Sequence, residues 1–182
     1  MRQRAVLSII FVFFLAGTTT FAVGNLDLPL LKRNARIFEG IVNEILKQDF
    51  PNPFAFTEGA KASYLQEYGI VVSLYLKINR STMRTPFGLV PTGQEARSNQ
   101  DQFSILKDSM VRCLGDYGGT FKQLPGDSFI AISTHVEDRN ELDSTKNPTV
   151  VIISASKENV DSLTMGRISF EQFQERVRIT EY

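Results

Sequence analysis

The 182-residue chain balances 20 Lys and Arg against 20 Asp and Glu, and holds one His, one Cys, fourteen Phe and no Trp. Balanced charge gives no electrostatic ground for a nucleic-acid partner or an anionic membrane. A lone Cys excludes an internal disulfide, and one His with one Cys excludes a metal centre that needs two or more imidazole or thiolate ligands from one chain.

Arg2 and Arg4 precede an uncharged run from Ala5 to Ala16, followed by the small, weakly polar stretch Gly17 to Gly24. Basic start, apolar centre and small-residue end are the three parts of a secretory signal. Thr20 and Ala22 supply small side chains at the third and first positions before a cut, so residues 1–22 read as a cleaved signal peptide. An uncleaved anchor is the competing reading, because Ala5 to Gly24 approaches the roughly 20 residues of a membrane span. Thr18, Thr19 and Thr20 weigh against it. Cleavage predicts an exported protein, periplasmic or secreted, with no membrane partner afterwards. It leaves residues 23–182, the size of a single domain.

The spacing over 28–48 predicts an amphipathic helix with Leu30, Leu31, Ile37, Phe38, Ile41, Val42, Ile45 and Leu46 on its apolar side, Asp27 as N-cap and Pro29 in the first turn. The period then changes to two. Ile70, Val72, Leu74, Leu76 and Ile78 alternate with Val71, Ser73, Tyr75 and Lys77, which predicts a half-buried strand. Ala62 to Leu65 reads as a shorter strand before it, joined by Gln66 to Gly69. Residues 79–98 have no periodicity and read as a long loop. A second helix is expected over 99–117, with Phe103, Leu106, Met110, Cys113, Leu114 and Tyr117 on one stripe. Residues 128–136 and 149–156 read as strands, 157–163 as a helical turn, and Ser169 as the cap of a last short helix. Strands joined in adjacent pairs predict an α+β fold: a mainly antiparallel sheet of about four strands with helices packed on one face.

Few residues point to chemistry. His135 shares a strand face with Phe129, Ala131 and Ser133 and stands two residues from Glu137. A carboxylate could orient it as a general base toward a Ser or Thr hydroxyl, the arrangement of a small hydrolase. Glu137, Asp138, Glu141 and Asp143 place four carboxylates within seven residues, the oxygen chemistry that calcium takes. Their spacing fits no standard calcium loop, and a solvated hairpin tip is the competing reading. Asp161 to Gln172 imitates such a loop, but Leu163 and Met165 stand where carboxylates belong. Cys113, on an apolar stripe, reads as a small core residue. Tyr64, Tyr68, Tyr75, Arg80 and Arg84 are the candidate ligand- or partner-binding residues, placed on the strands and loop beside the uncovered sheet face.

Tyr64-Leu65-Gln66-Glu67-Tyr68-Gly69 leading into an apolar strand, with Gly166-Arg167-Ile168-Ser169 and the terminal Arg178-Ile179-Thr180-Glu181-Tyr182, resembles a pattern in uncharacterised exported bacterial proteins. The resemblance implies an exported domain without an assigned activity, and carries no catalytic residues across. The sequence therefore predicts a non-enzymatic binding or interaction domain of the bacterial envelope that needs no cofactor and takes a protein or a small molecule. The alternative is a hydrolase or metal-dependent enzyme using His135 and the nearby carboxylates.

Overall fold

A computed structural model describes residues 26–49, 54–78, 82–85, 88–91, 99–138 and 149–182. The expected signal segment lies outside the described residues. Among the described residues no helix is long and apolar enough to cross a membrane.

The first helix, α1 (Leu28–Asp49), starts where the Asp27 carboxylate accepts the Leu30 N–H at 2.9 Å, which satisfies a donor that the helix cannot. Its buried stripe is Leu31, Ala35, Phe38, Val42 and Leu46. Next come β1 (Phe54–Leu65) and β2 (Gly69–Ile78), an antiparallel hairpin, and then the short pair β3 (Thr82–Thr85) and β4 (Gly88–Pro91). Helix α2 (Asn99–Tyr117) leads through a 3-10 turn, Gly118–Thr120, to β5 (Phe129–Asp138) and β6 (Thr149–Ser156). The chain ends with α3 (Lys157–Thr164), α4 (Phe170–Arg176) and β7 (Arg178–Glu181).

The main sheet has five strands in the order β1-β2-β5-β6-β7. Every neighbouring pair is antiparallel except β2 and β5, which run parallel from Gly69↔Phe129 to Ile78↔Asp138. The parallel pair follows from connectivity, because α2 lies between the two strands in the chain and carries it back across the sheet. Gly69 sits at the start of this seam with φ +128°. A Cβ there would stand 2.1 Å from the Phe129 carbonyl oxygen, and the Phe129 N–H donates to Tyr68 O at 2.6 Å.

The fold is thus the expected α+β sheet, with three differences from the sequence reading. β1 begins at Phe54 rather than Ala62, because register shifts between Phe56 and Glu58 and between Glu58 and Lys61 break the alternation that marks a strand. Part of the expected 79–98 loop forms β3 and β4. β7 adds a fifth strand: its four residues are all exposed, so no apolar alternation announces it.

One core joins helices and sheet. Ile70, Val72, Leu74 and Leu76 of β2, Ile130, Ile132 and Val136 of β5, and Val151, Ile153 and Ala155 of β6 pack with the stripes of α1 and α2, Val160 of α3 and Phe173 of α4. The helices therefore cover one face, and the alternate residues of the same strands form the other, here called the outer face. At the β1 edge, α1 does a second job. Asn43 Oδ1 accepts the Ala60 N–H at 2.9 Å and Glu39 Oε1 accepts the Ala62 N–H at 2.7 Å. Two donors that an edge strand would leave open are closed by side chains of the helix.

At the start of α3, Lys157 is 3% exposed and its ammonium donates to both carboxylate oxygens of Asp161, one turn further on. The N-caps are side chains: Ser156 accepts the Asn159 N–H, and Ser169 with Gln172 forms a capping box on α4.

Candidate functional site

The register places the outer-face residues in rows across the sheet. One row runs Tyr75, His135, Val150 and Tyr182 on β2, β5, β6 and the end of β7, the last link being the Val150–Tyr182 pair, which exchanges backbone bonds of 2.8 and 3.1 Å. The next row is Lys61, Ser73, Ser133, Ile152 and Thr180, and the third is Ser63, Val71, Ala131, Ser154 and Arg178. Ser73, Ser133 and Ser154 share the middle of the face with Val71, Ala131 and Ile152, with a cation at each edge and one aromatic-rich row across it. The sheet's pleat produces this alternation, and on β2 and β5 the outer residues lie between buried ones, as Tyr75 does between Leu74 and Leu76.

His135 stacks on Tyr75, with ring centroids 6.3 Å apart and planes 15° apart. Both rings are half-buried, and Tyr182 is 71% exposed. Among the described residues no hydroxyl or carboxylate hydrogen-bonds the His135 imidazole; what lies against it is the Tyr75 ring. At the far end of the face, Tyr68 stacks on Phe129 at 5.5 Å. Six residues of β2 separate the two stacks, roughly 20 Å along the strand.

The predicted binding residues do not form one cluster. Tyr75 is central on the outer face and Tyr68 is at the tip of the β1–β2 hairpin. Tyr64 pairs with Ile70, which puts it on the helix side of the sheet, where it is 39% exposed. Arg84 is placed on β3 by its backbone, and Arg80 lies outside the described residues. Of the acidic set, Glu137 and Asp138 are placed by backbone at the end of β5, whereas Glu141 and Asp143 lie outside the described residues. Among the described residues no three His, Cys, Asp or Glu side chains converge as metal ligands.

Two cavities lie on the helical side, away from His135 and from Tyr64 to Gly69. A hollow of about 480 Å³ on α1 is lined by Pro29, Lys32, Arg33, Arg36 and Ile37. A groove of about 410 Å³ between α1 and α2 is lined by Asp49, Asp108, Ser109, Arg112, Cys113 and Asp116, among others. The Ser109 hydroxyl donates to Asp49 across this groove. Burial, and then the neighbouring Asp116 carboxylate, push the Cys113 thiol up to about 12, which favours the thiol over the thiolate that a nucleophile needs. Cys113 is core, as its stripe predicts.

Sequence reasoning missed Tyr182, Thr180 and Arg178 because β7 was not recognised. It also left Ile152 and Ser154 unassigned: Ser154 alternates with Ile153 and Ala155, but Ile152 sits in the unbroken apolar run Val150 to Ile153, and only the strand pairing places it on the outer face. The chain matches no protein-family profile, no curated protein and no solved structure.

Proposed function

We propose that this chain is a non-catalytic exported domain of the bacterial envelope that binds a partner protein through the outer face of its sheet. The row Tyr75–His135–Val150–Tyr182 carries the reading: half-buried and exposed rings stand on a face that mixes Ser and Thr hydroxyls with Val71, Ala131 and Ile152 and has a cation at each edge, the mixed composition of a recognition surface. The two cavities described above are lined by α1 and α2 rather than by this face, which favours a protein over a small molecule, since small molecules take concave sites. The imidazole in this reading is a contact residue stacked on tyrosine, not a base.

A photo-crosslinking residue at Ser133 tests the proposal, compared with the same residue at the exposed Gln48 of α1. Adducts to a defined partner in the native envelope are expected from position 133 only, and Tyr75→Ala should weaken them. Equal adducts from both positions, or none from position 133, would remove the proposal.

A further inference from the structure

The two edges of the sheet are finished differently. On β1, the outward N–H groups of Ala60 and Ala62 are bonded by Asn43 and Glu39. On β7, Val150 and Tyr182 exchange both backbone bonds, so in an antiparallel ladder Thr180 and Arg178 also turn their polar groups inward toward β6. Ile179 and Glu181 then turn theirs outward. Among the described residues nothing bonds those outward groups, and all four residues of β7 are exposed. Each molecule thus presents an edge with two N–H donors and two C=O acceptors.

We propose that a second copy of this chain pairs with this edge, β7 against β7, about a two-fold axis normal to the sheet at Thr180. The count of groups and the register both argue for a copy. A two-fold of this kind keeps each face on its own side, so opposed residues share a face. With Thr180 opposite the partner's Thr180, Ile179 stands opposite the partner's Glu181, and Glu181 opposite the partner's Ile179. Each of these two pairs exchanges two backbone bonds, and every outward donor and acceptor on both edges is used. Slipping the register toward α4 would call on the Val177 N–H, which is already donated to Phe173 O and Gln174 O.

Side chains agree with this register. On the outer face Arg178 stands opposite the partner's Tyr182, a cation against an aromatic ring. On the other face the Glu181 carboxylate is already paired with Lys107 at 2.8 Å, so its charge does not oppose the approach of a strand. Short length and charge are the usual defences of an edge, and here the charges are matched rather than repelled. A four-residue ladder buries far less than the roughly 1,600 Å² of a standard interface, so the dimer is weak and depends on concentration. The pairing shares Tyr182 with the outer face but does not rest on what Tyr75 and His135 bind.

The test is register-specific crosslinking of the full chain. Opposed residues of a non-hydrogen-bonded pair have Cα atoms about 4.5 Å apart, within the roughly 4.4–6.8 Å that a disulfide spans. Thr180→Cys should therefore form a disulfide dimer under mild oxidation, seen as a band of doubled mass on non-reducing gels. Cys113 is buried and serves as a silent background. Arg178→Cys, which faces a different residue, should give little dimer. Adding Ile179→Pro removes an outward donor without touching the β6 ladder, and should abolish the T180C dimer while the circular dichroism spectrum is kept. If that variant does not fold, Glu181→Pro removes the other outward donor. No dimer from T180C, equal dimer from R178C, or a T180C dimer undiminished by a folded proline variant would each overturn the proposal.

Discussion

The two faces of this sheet are written into the same strands one residue apart, yet they carry opposite chemistry. On β2, Ile70, Val72, Leu74 and Leu76 are buried under the helices, while Val71, Ser73 and Tyr75 between them are half-buried or exposed. On β5, Ile130 and Ile132 alternate with Ala131 and Ser133, then His135. The helical face holds the large side chains of the core, while on the outer face Ala131, Val150 and Ser154 are buried and Ser73 is exposed. A protein built this way can bind through one side of a sheet without loosening the other.

The largest break in that comparison is expected on the helical side. Asp161→Ala leaves Lys157, 3% exposed, as a buried cation without its carboxylate, and should cost about 3–5 kcal/mol. Lys157→Met, which removes the charge and keeps most of the volume, should cost clearly less. Urea midpoints of the two variants decide this, and equal losses would mean that packing rather than charge sets the effect.

A mid-sized effect is expected from pH. The Cys113 thiol is raised from 9.0 to about 12 by burial and then by Asp116, so the folded chain holds its proton where the unfolded chain has released it. This contribution is complete below about pH 9 and is lost as pH rises toward 12, at roughly 1.4 kcal/mol per pH unit. Cys113→Ala should flatten the alkaline decline in urea midpoint relative to the parent protein. Parallel declines would show that the thiol does not drive it.

The smallest effect belongs to the outer face. Ser133→Ala should change stability by no more than about 0.5 kcal/mol, as read by thermal melting. A loss of several times that size would mean that this face is structural after all.

Elements with an unbroken period were legible in the sequence. The three- and four-residue spacing from Leu30 to Leu46 marked α1, although Ile37 of that set is 51% exposed, and Asp27 and Ser169 marked true helix starts. Strict alternation from Ile70 to Leu76 separated the two faces of β2. What stayed hidden has a common cause, which is that pairing, not local pattern, creates it. β1 carries register shifts, β7 has no buried residue, and the parallel seam joins residues 60 positions apart, as in Gly69 with Phe129. The site was legible to the same degree. Tyr75 and His135 were each visible on an alternating strand, but their stacking depends on the Tyr75↔His135 register, which no local pattern encodes.

Gly69 has a consequence for anyone redesigning this domain. With 2.1 Å between a hypothetical Cβ and the Phe129 carbonyl oxygen, the position accepts a hydrogen and nothing larger unless backbone moves. A display library on the β1–β2 hairpin can therefore diversify the exposed Gln66, should keep Glu67, at φ +65°, to Gly, Asn or Asp, and must leave residue 69 alone. Any bulk introduced there would act as a wedge at the mouth of the central strand pair, and unzip the sheet from its end rather than decorate its surface.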